Sequence, residues 1–331
     1  MNPKVTAVIP VWNRRALLES LLDKLRLQTL PLREVLVVDN GSEDGSAEFA
    51  ESRGARVIRM GSNTGFSRAV NRGIEACRTE WLAIVNNDVE PAPDWLERLV
   101  EGAAASGAWY ATGKILSASN PNLLDGTYDL LCRGACAWRV GHSRADDPGF
   151  SVARDIWFAP GTAALFRTEL FRRLGGFDAL FESYLEDVDF GLRCALAGYH
   201  GRYVPEALAW HQGSATLGRW HPDVARRIAR NQVLLVAKHY PGRLLWRYGW
   251  AILVAQGLWG LVALRHGAGR AYLRGKMAGI RLWKTARTSK TSDGLLDILT
   301  GCEREICHIQ RKIGFDAFWR LYFLFTGGGA I

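Results

Sequence analysis

Four short motifs place reactive side chains where apolar runs begin or end. Asp39 closes the run Glu34-Val35-Leu36-Val37-Val38, and Asn86-Asn87-Asp88 follows Trp81-Leu82-Ala83-Ile84-Val85 directly. A carboxylate at such a position can hold a hard divalent cation, which keeps waters and shares phosphate oxygens. In a plain turn the same carboxylate would only cap backbone amides. Glu186-Asp187-x-Asp189 opens a segment with apolar residues at Leu185, Val188, Leu192, Ala195 and Leu196, which is helical spacing. Acids suit a first helical turn because that end is partly positive, and Asp189 and Arg193 form an i,i+4 pair. Helix-end electrostatics therefore explains the cluster as readily as proton transfer. His211 stands behind Trp210 at the end of the apolar run 203–209, and a lone histidine is more often structural than a ligand.

The elements that position these residues alternate in type. Runs 5–9, 34–39, 55–60 and 81–85 are short, apolar and rich in β-branched residues. Between them, 14–27 and 67–76 carry helical periodicity, and Asn40-Gly41-Ser42-Glu43-Asp44-Gly45-Ser46 is turn chemistry with Ser46 as a candidate N-cap. This β-α-β-α-β-α-β order predicts an α/β fold with a Rossmann-like, mostly parallel sheet and helices on both faces. Ligands of such sheets bind beyond the carboxyl ends of the strands, where Asp39 and Asp88 stand. No G-x-G-x-x-G follows the first strand and no G-x-x-x-x-G-K-[ST] occurs, which disfavours an ordinary NAD site or a P-loop ATPase. Further on, 161–166 and 203–209 read as strands, Gly175-Gly176-Phe177-Asp178 as a turn, and Gly198 as a helix stop.

Charge is distributed unevenly. The 331 residues carry a net +9, yet residues 219–290 alone carry +14 and the remainder −5. A locally basic segment argues against nucleic acid as the partner of the whole chain. Six scattered cysteines without a C-x-x-C pair, and a start that runs straight into a strand, predict free thiols and a cytoplasmic setting. Cys302, Cys307 and His308 lack the second ligand pair of a usual zinc site. From about residue 220 the chain turns helical and basic. Its uncharged run 248–264, flanked by Arg243, Arg247, Arg265 and Arg270, is borderline in length for a span of about 20 apolar residues. Basic residues on both sides fit a helix lying in a membrane interface better than one crossing it; a buried helix of a C-terminal bundle is the alternative.

Taken in order, these motifs resemble the family 2 glycosyltransferases with the GT-A fold. The resemblance rests on Val8-Ile9-Pro10-Val11-Trp12-Asn13-Arg14, Val37-Val38-Asp39-Asn40-Gly41-Ser42, Asn63-x-Gly65-Phe66 with Asn71-x-Gly73, Asn86-Asn87-Asp88 in the place of a D-x-D, and Gly175-Gly176-Phe177-Asp178 before Glu186-Asp187-x-Asp189 and Arg193. It covers roughly residues 4–217, and the branch it resembles most is rhamnosyltransferase-like.

The resemblance implies an inverting sugar transfer from a dTDP- or UDP-sugar, with rhamnose one candidate, to a lipid-linked or cell-surface glycan. It implies Asp187 as the base, with Glu186 beside it, and Mg2+ or Mn2+ held by Asp88 and His211. Asp39 would take the imide N–H of the base, walled by Pro10 and Trp12, with Asn63, Gly65, Asn71, Asn86 and Asn87 near the nucleotide. Asn86 replaces the usual first Asp, so chelation on that loop would rest on Asp88. The implied layout is a catalytic domain 1–217, with a nucleotide half 1–100 and an acceptor half 101–217, followed by a membrane-associating region 218–331. The protein would sit peripherally on the inner face of the cell membrane, with a second copy of the chain as a further candidate partner in a homo-oligomer. The competing readings are an inactive glycosyltransferase-like membrane scaffold, and a nucleotidyltransferase, which the glycine-free Pro10-Val11-Trp12-Asn13-Arg14-Arg15 disfavours.

Overall fold

A computed structural model describes residues 3–213, 220–288 and 294–327. The expected boundary at 217/218 lies outside the described residues. Backbone contacts divide the chain into Met1–Asp129 with Arg139–Ala215, and Leu130–Trp138 with Thr216–Ile331.

The first unit begins with β1 (Val5–Val11), α1 (Arg15–Arg26), β2 (Glu34–Asp39), α2 (Ser46–Ser52), β3 (Arg56–Arg59), α3 (Phe66–Ala76) and β4 (Trp81–Val85). It continues through β5 (Val89–Pro91), α4 (Trp95–Ser106), β6 (Tyr110–Ser117) and β7 (Leu124–Gly126); of β8 (Asp129–Leu131) and β9 (Ala137–Arg139) it holds only Asp129 and Arg139, since Leu130–Trp138 belong to the second unit. β10 (Arg154–Ile156), β11 (Ala163–Arg167), α5 (Thr168–Leu174), α6 (Glu186–Leu196) and β12 (Gly201–His211) complete it. One sheet runs β10-β12-β6-β11-β4-β1-β2-β3, with β5 on β12 and β7 on β6, while β8 and β9 form a separate ribbon.

The portion β4-β1-β2-β3 is parallel. β11 then runs antiparallel to both β4 and β6, so the second half of the sheet is mixed. β4 is buried throughout and β1 nearly so, the continuous apolar pattern of a strand covered on both faces. Leu18, Leu21, Leu22 and Leu25 of α1 join that core; burying each contributes about 1.5–3 kcal/mol. Gly73 of α3 is a packing requirement, because a Cβ there would lie 2.3 Å from Val8 Cγ1 of β1.

Two sequence boundaries shift. β1 continues through Pro10 to Val11, since its ladder to β4 ends at Val8 and only β2 flanks the proline. A missing N–H is tolerated at such an edge. Ser46 is the first residue of α2 rather than its cap; its N–H is received by Asp44 Oδ1 at 3.1 Å.

The second unit holds α7 (Pro222–His239), α8 (Gly242–Arg265), α9 (Gly269–Arg281), α10 (Trp283–Ala286), α11 (Leu295–Ile313) and α12 (Ala317–Thr326). Glycines bring α9 against α7: a Cβ on Gly275 would stand 2.2 Å from Arg226 O, and one on Gly279 2.6 Å from Val233 Cβ. Inside, Glu303 receives the Arg133 amide (2.8 Å), its Nε (2.6 Å) and the Tyr322 hydroxyl. Lys276 is bonded to Gln232 and Gln256, and burial lowers its pKa to about 8.

α8 contains the run 248–264. It turns Leu244, Tyr248, Ala251, Ala255 and Ala263 inward and leaves Trp246 (92% exposed), Trp250, Leu253, Leu261 and Leu264 in solvent. These five positions share one stripe at helical spacing. Trp250 Nε1 donates to Phe325 O at 2.8 Å, so exposed Leu324 and Phe325 of α12 adjoin the stripe. Among the described residues no helix is long and apolar enough to cross a membrane. The spanning alternative therefore drops out: the run buries one stripe of mostly small residues within its own unit.

Candidate active site

Strand order 3-2-1-4 reverses its direction of growth at β1, so the loops after β1 and β4 diverge. Such a switch point makes a crevice at the carboxyl edge. Both loops carry predicted site residues. After β1, Asn13 (φ 58°) and Arg14 (φ 67°) adopt left-handed backbone, and Trp12 is 42% exposed beside half-buried Pro10. Asn13 N donates to Ser42 Oγ (2.8 Å), and Ser42 N donates to Asp39 Oδ1 (3.1 Å). Asn87 Nδ2 reaches Asn13 O at 3.4 Å. One path of hydrogen bonds thus joins the second-strand motif to the Asn-Asn-Asp loop.

Asn86 donates its backbone N–H to Thr162 O at 2.9 Å, while its side-chain Oδ1 is buried without a hydrogen-bond partner. Asp88 Oδ1 lies 3.2 Å from His211 Nε2, and Asp125 Oδ2 lies 3.0 Å from Nδ1 on the other side of the ring. Burial opposes a charge on His211, but its bonds to Asp125 and Asp88 win and raise its pKa to about 9. Burial likewise works against the Asp125 carboxylate, yet His211 and Arg139 hold it below the ordinary value.

Asp187 opens α6. Its Oδ2 accepts the Gly161 amide at 2.9 Å, and its Oδ1 accepts the Val188 amide at 2.8 Å. Burial first, then the nearby Asp129 charge, raise its pKa, and Arg139 pulls the other way. Arg139 is the hub of this cluster. Its Nε and Nη2 fork onto Asp129 at 3.2 and 3.3 Å, and Nη1 donates to Thr162 Oγ1 at 3.2 Å. It lies 3.8 Å from Asp125 and 3.9 Å from Asp187. Asp88, His211, Asp125, Arg139 and Asp187 therefore form one continuous chain of polar contacts.

The turn Asn63–Phe66 is fastened to both halves. Asn63 Oδ1 receives Asn40 Nδ2 (3.1 Å) and Gly65 N (3.0 Å). Gly65 (φ +89°) passes close to Glu182, whose O would stand 3.2 Å from a Cβ. Ser67 N donates to Glu182 O at 2.8 Å, and Phe66 N to Ser183 Oγ at 3.3 Å. Glu182, Tyr184 and Leu185 all have positive φ. Such strain clusters at functional sites, and here it precedes Asp187 directly.

Two predicted residues stand apart from the cluster. Asn71 holds Phe177 by both of its polar atoms, Nδ2 to O (2.7 Å) and Oδ1 from N (2.8 Å), so its amide is engaged by the fold. Gly176 leaves room for it, since a Cβ there would lie 2.3 Å from Asn71 Oδ1. Glu186 is 5% exposed with Oε2 unpartnered, and burial, then Asp187, push its carboxyl well above the usual range. Its carboxyl is enclosed, while that of Asp187 is bonded to two backbone amides. Asp189 keeps its expected partner, Arg193, at 3.0 Å.

Sequence reasoning missed Asp125, Asp129 and Arg139. They lie on or beside strands of three residues with no periodicity to read. The available signal was His211 itself, an imidazole next to a strand end that needed a partner for its second nitrogen.

Would a divalent cation suit these residues? Asp88 and the Nε2 edge of His211 face each other, and Asp125 on Nδ1 is the carboxylate that commonly orients a ligating imidazole. The donor set fits a hard or borderline ion that completes its shell elsewhere. Among the described residues no group of three or more His, Cys, Asp or Glu side chains is gathered to hold a metal.

Comparison with known proteins gives the family and the fold. Residues 6–175 match the family model described as glycosyl transferase family 2. An N-acetylglucosaminyl-diphospho-decaprenol L-rhamnosyltransferase of Mycobacterium tuberculosis is 29% identical over 243 residues, 65% of this chain and 79% of that protein. A pre-mycofactocin glycosyltransferase of the same organism is 30% identical over 311 residues, 91% of this chain and 61% of that protein. Among solved structures, GalNAc-T7 with UDP, GalNAc and Mn2+ aligns at a TM-score of 0.60 and 15% identity, covering 86% of this chain and 57% of that one. A Pyrobaculum calidifontis mannosyltransferase in complex with GDP-Man and Mn2+ aligns at 0.54 and 19%, covering 98% and 87%. At such identities the structural likeness concerns the fold, which is GT-A.

Proposed function

The chain belongs to glycosyl transferase family 2, and on that premise we propose that it moves a sugar from a dTDP- or UDP-sugar to a lipid-linked or cell-surface glycan with inversion at the anomeric carbon. The observation that carries this reading is the unbroken polar path from Asp39 through Ser42, Asn13 and the Asn86–Asp88 loop to Asp187. It links a base-reading carboxylate, a diphosphate-side loop and a buried carboxylate in one site.

In this reading the uracil or thymine ring lies between Pro10 and Trp12 and donates its imide N–H to Asp39. Asn86 Oδ1, buried and unpartnered, accepts a ribose hydroxyl. Asn87, Asn63 and Gly65 shape the nucleotide's surroundings. Asp88 and His211 would hold Mg2+ or Mn2+, which when bound supplies Lewis-acid stabilisation of the leaving diphosphate. Asp187 takes the proton of the attacking acceptor hydroxyl, held in orientation by the Gly161 and Val188 amides. A single in-line displacement leaves the product anomer inverted.

Residues 1–217 are proposed as the catalytic domain and 218–331 as the membrane-associating region, on the cytoplasmic face. The support is the exposed stripe of α8, flanked by exposed Arg243, Arg247, Arg265 and Arg270. Tryptophans suit the bilayer interface, and each basic residue near an anionic surface adds about 1 kcal/mol. The rhamnosyltransferase relative, whose name specifies a decaprenol-linked acceptor, makes a polyprenyl-diphosphate sugar the first acceptor to try.

The test is incubation with dTDP-L-rhamnose or UDP-sugars, Mn2+ and a synthetic polyprenyl-diphosphate N-acetylglucosamine. Product is read by mass and by the anomeric coupling constant. An inverted linkage supports the proposal; a retained anomer or nucleotidyl transfer contradicts it.

A further inference from the structure

Three carboxylates, Asp125, Asp129 and Asp187, crowd around the side chain of Arg139. Glu186 adjoins Asp187 on the same helix, and His211 and Asp88 continue the network beyond Asp125. Like charges this close cannot all stay ionised without a cation among them. Arg139 supplies it. Its fork is locked bidentately on Asp129, a geometry a lysine cannot copy. The remaining edge then faces Asp125 and Asp187, while Nη1 ties to Thr162, whose carbonyl receives Asn86 N. Gly126 makes the space: a Cβ there would come within 2.2 Å of Arg139 Cγ. A stability role alone would be met by the Asp129 pairing. The second edge, turned toward a carboxylate at a helix start behind a strained loop, points to something more.

We propose that Arg139 is a positioning residue for the transfer reaction: anchored on Asp129, it holds Asp187 as a charged, fixed acceptor of the substrate's proton. The inference rests on the reading of Asp187 as the base. Asp129 has two opposed effects, as the anchor of the fork and as a like charge facing Asp187.

Titration of Asp187 in the resting protein, by 13C NMR of labelled aspartate carboxyls with Asp187→Asn for assignment, tests this without any substrate. Arg139→Met should raise the Asp187 midpoint by about 1–3 pH units, the size of an adjacent guanidinium's effect. Arg139→Lys should recover part of that shift. Gly126→Ala, which displaces the fork but keeps its charge, should move the midpoint the same way as Arg139→Met. The acid limb of kcat should follow each shift, with the donor KM changing less than kcat. An unmoved midpoint in folded Arg139→Met and in Gly126→Ala overturns the proposal. If Asp187→Asn keeps wild-type turnover, the reading of the base fails first; if Asp187→Asn is inactive while Arg139→Met keeps the wild-type acid limb, only the role of Arg139 fails.

Discussion

The two units depart from ordinary burial in opposite senses. In the first, Asp39, Asp125, Asp129, Asp187, Arg139 and His211 are drawn largely out of water at the carboxyl edge of a sheet. In the second, Trp246, Trp250, Leu253, Leu261 and Leu264 are held in it along one helix. Each departure costs free energy when nothing is bound. Burying a charge is expensive unless paired, and contiguous apolar exposure marks a surface meant for another phase. On the proposed reading the contrast assigns a charged ligand to the sheet edge and an apolar surface to α8.

The sharpest way to break this contrast is to neutralise the proposed base. Asp187→Asn should lower kcat about 10²- to 10⁴-fold, the usual worth of general-base catalysis, while dTDP or UDP affinity persists. Turnover and nucleotide titration on the same preparation check it. Removing the carboxylate behind His211 is a gentler probe. Asp125→Asn should weaken Mn2+ affinity about 10- to 100-fold, the usual effect of losing an outer-shell partner of a ligating histidine, as read by electron paramagnetic resonance of free Mn2+.

On the apolar side, Trp246→Ser should reduce partition onto vesicles with anionic lipid about tenfold, or ~1.4 kcal/mol, without affecting the melting temperature. A variant that partitions like the parent would mean that α8 faces something other than lipid. The smallest effect concerns Lys276, a buried lysine of that unit. A free lysine titrates near 10.5 and Lys276 near 8 in the fold, so the unfolded chain binds the proton more tightly between these values. Stability should rise with pH across that window and level off below about 8, where both states hold the proton. Lys276→Met should flatten the slope in urea melts taken from pH 7.5 to 10.5.

Most of the first unit's frame was legible in the sequence. The central strands β1, β2 and β4 are apolar runs ending in polar side chains, and period and punctuation suffice to place them. The motif residues at their ends follow from that placement. What escaped was long-range pairing. Asp125 meets His211 across 86 residues, and Asn71 meets Phe177 across 106. Neither distance leaves a trace in local periodicity. The hold of Asn71 on Phe177 was not foreseen, because an asparagine beside a nucleotide-side turn and one clamping a distant backbone look alike in sequence. Glu186 was paired with Asp187 by adjacency, yet one residue of helix rotation, about 100°, separates their directions. In the second unit the uncharged run was visible, but its inward stripe Tyr248, Ala251, Ala255 and Ala263 became evident only with its neighbours in place.

The central claim is that the buried charges of the first unit form a metal-assisted nucleotide-sugar site. The most direct measurement is a thermal-shift panel of UDP, dTDP, GDP and CMP, each with and without Mn2+, on the parent protein and on Asp88→Ala. A ligand bound only by the folded state raises stability by RT ln(1 + [L]/Kd). The account predicts a shift with UDP or dTDP that grows with Mn2+ in the parent and loses its metal dependence in Asp88→Ala. Melting curves that no nucleotide moves, with or without metal, would contradict it.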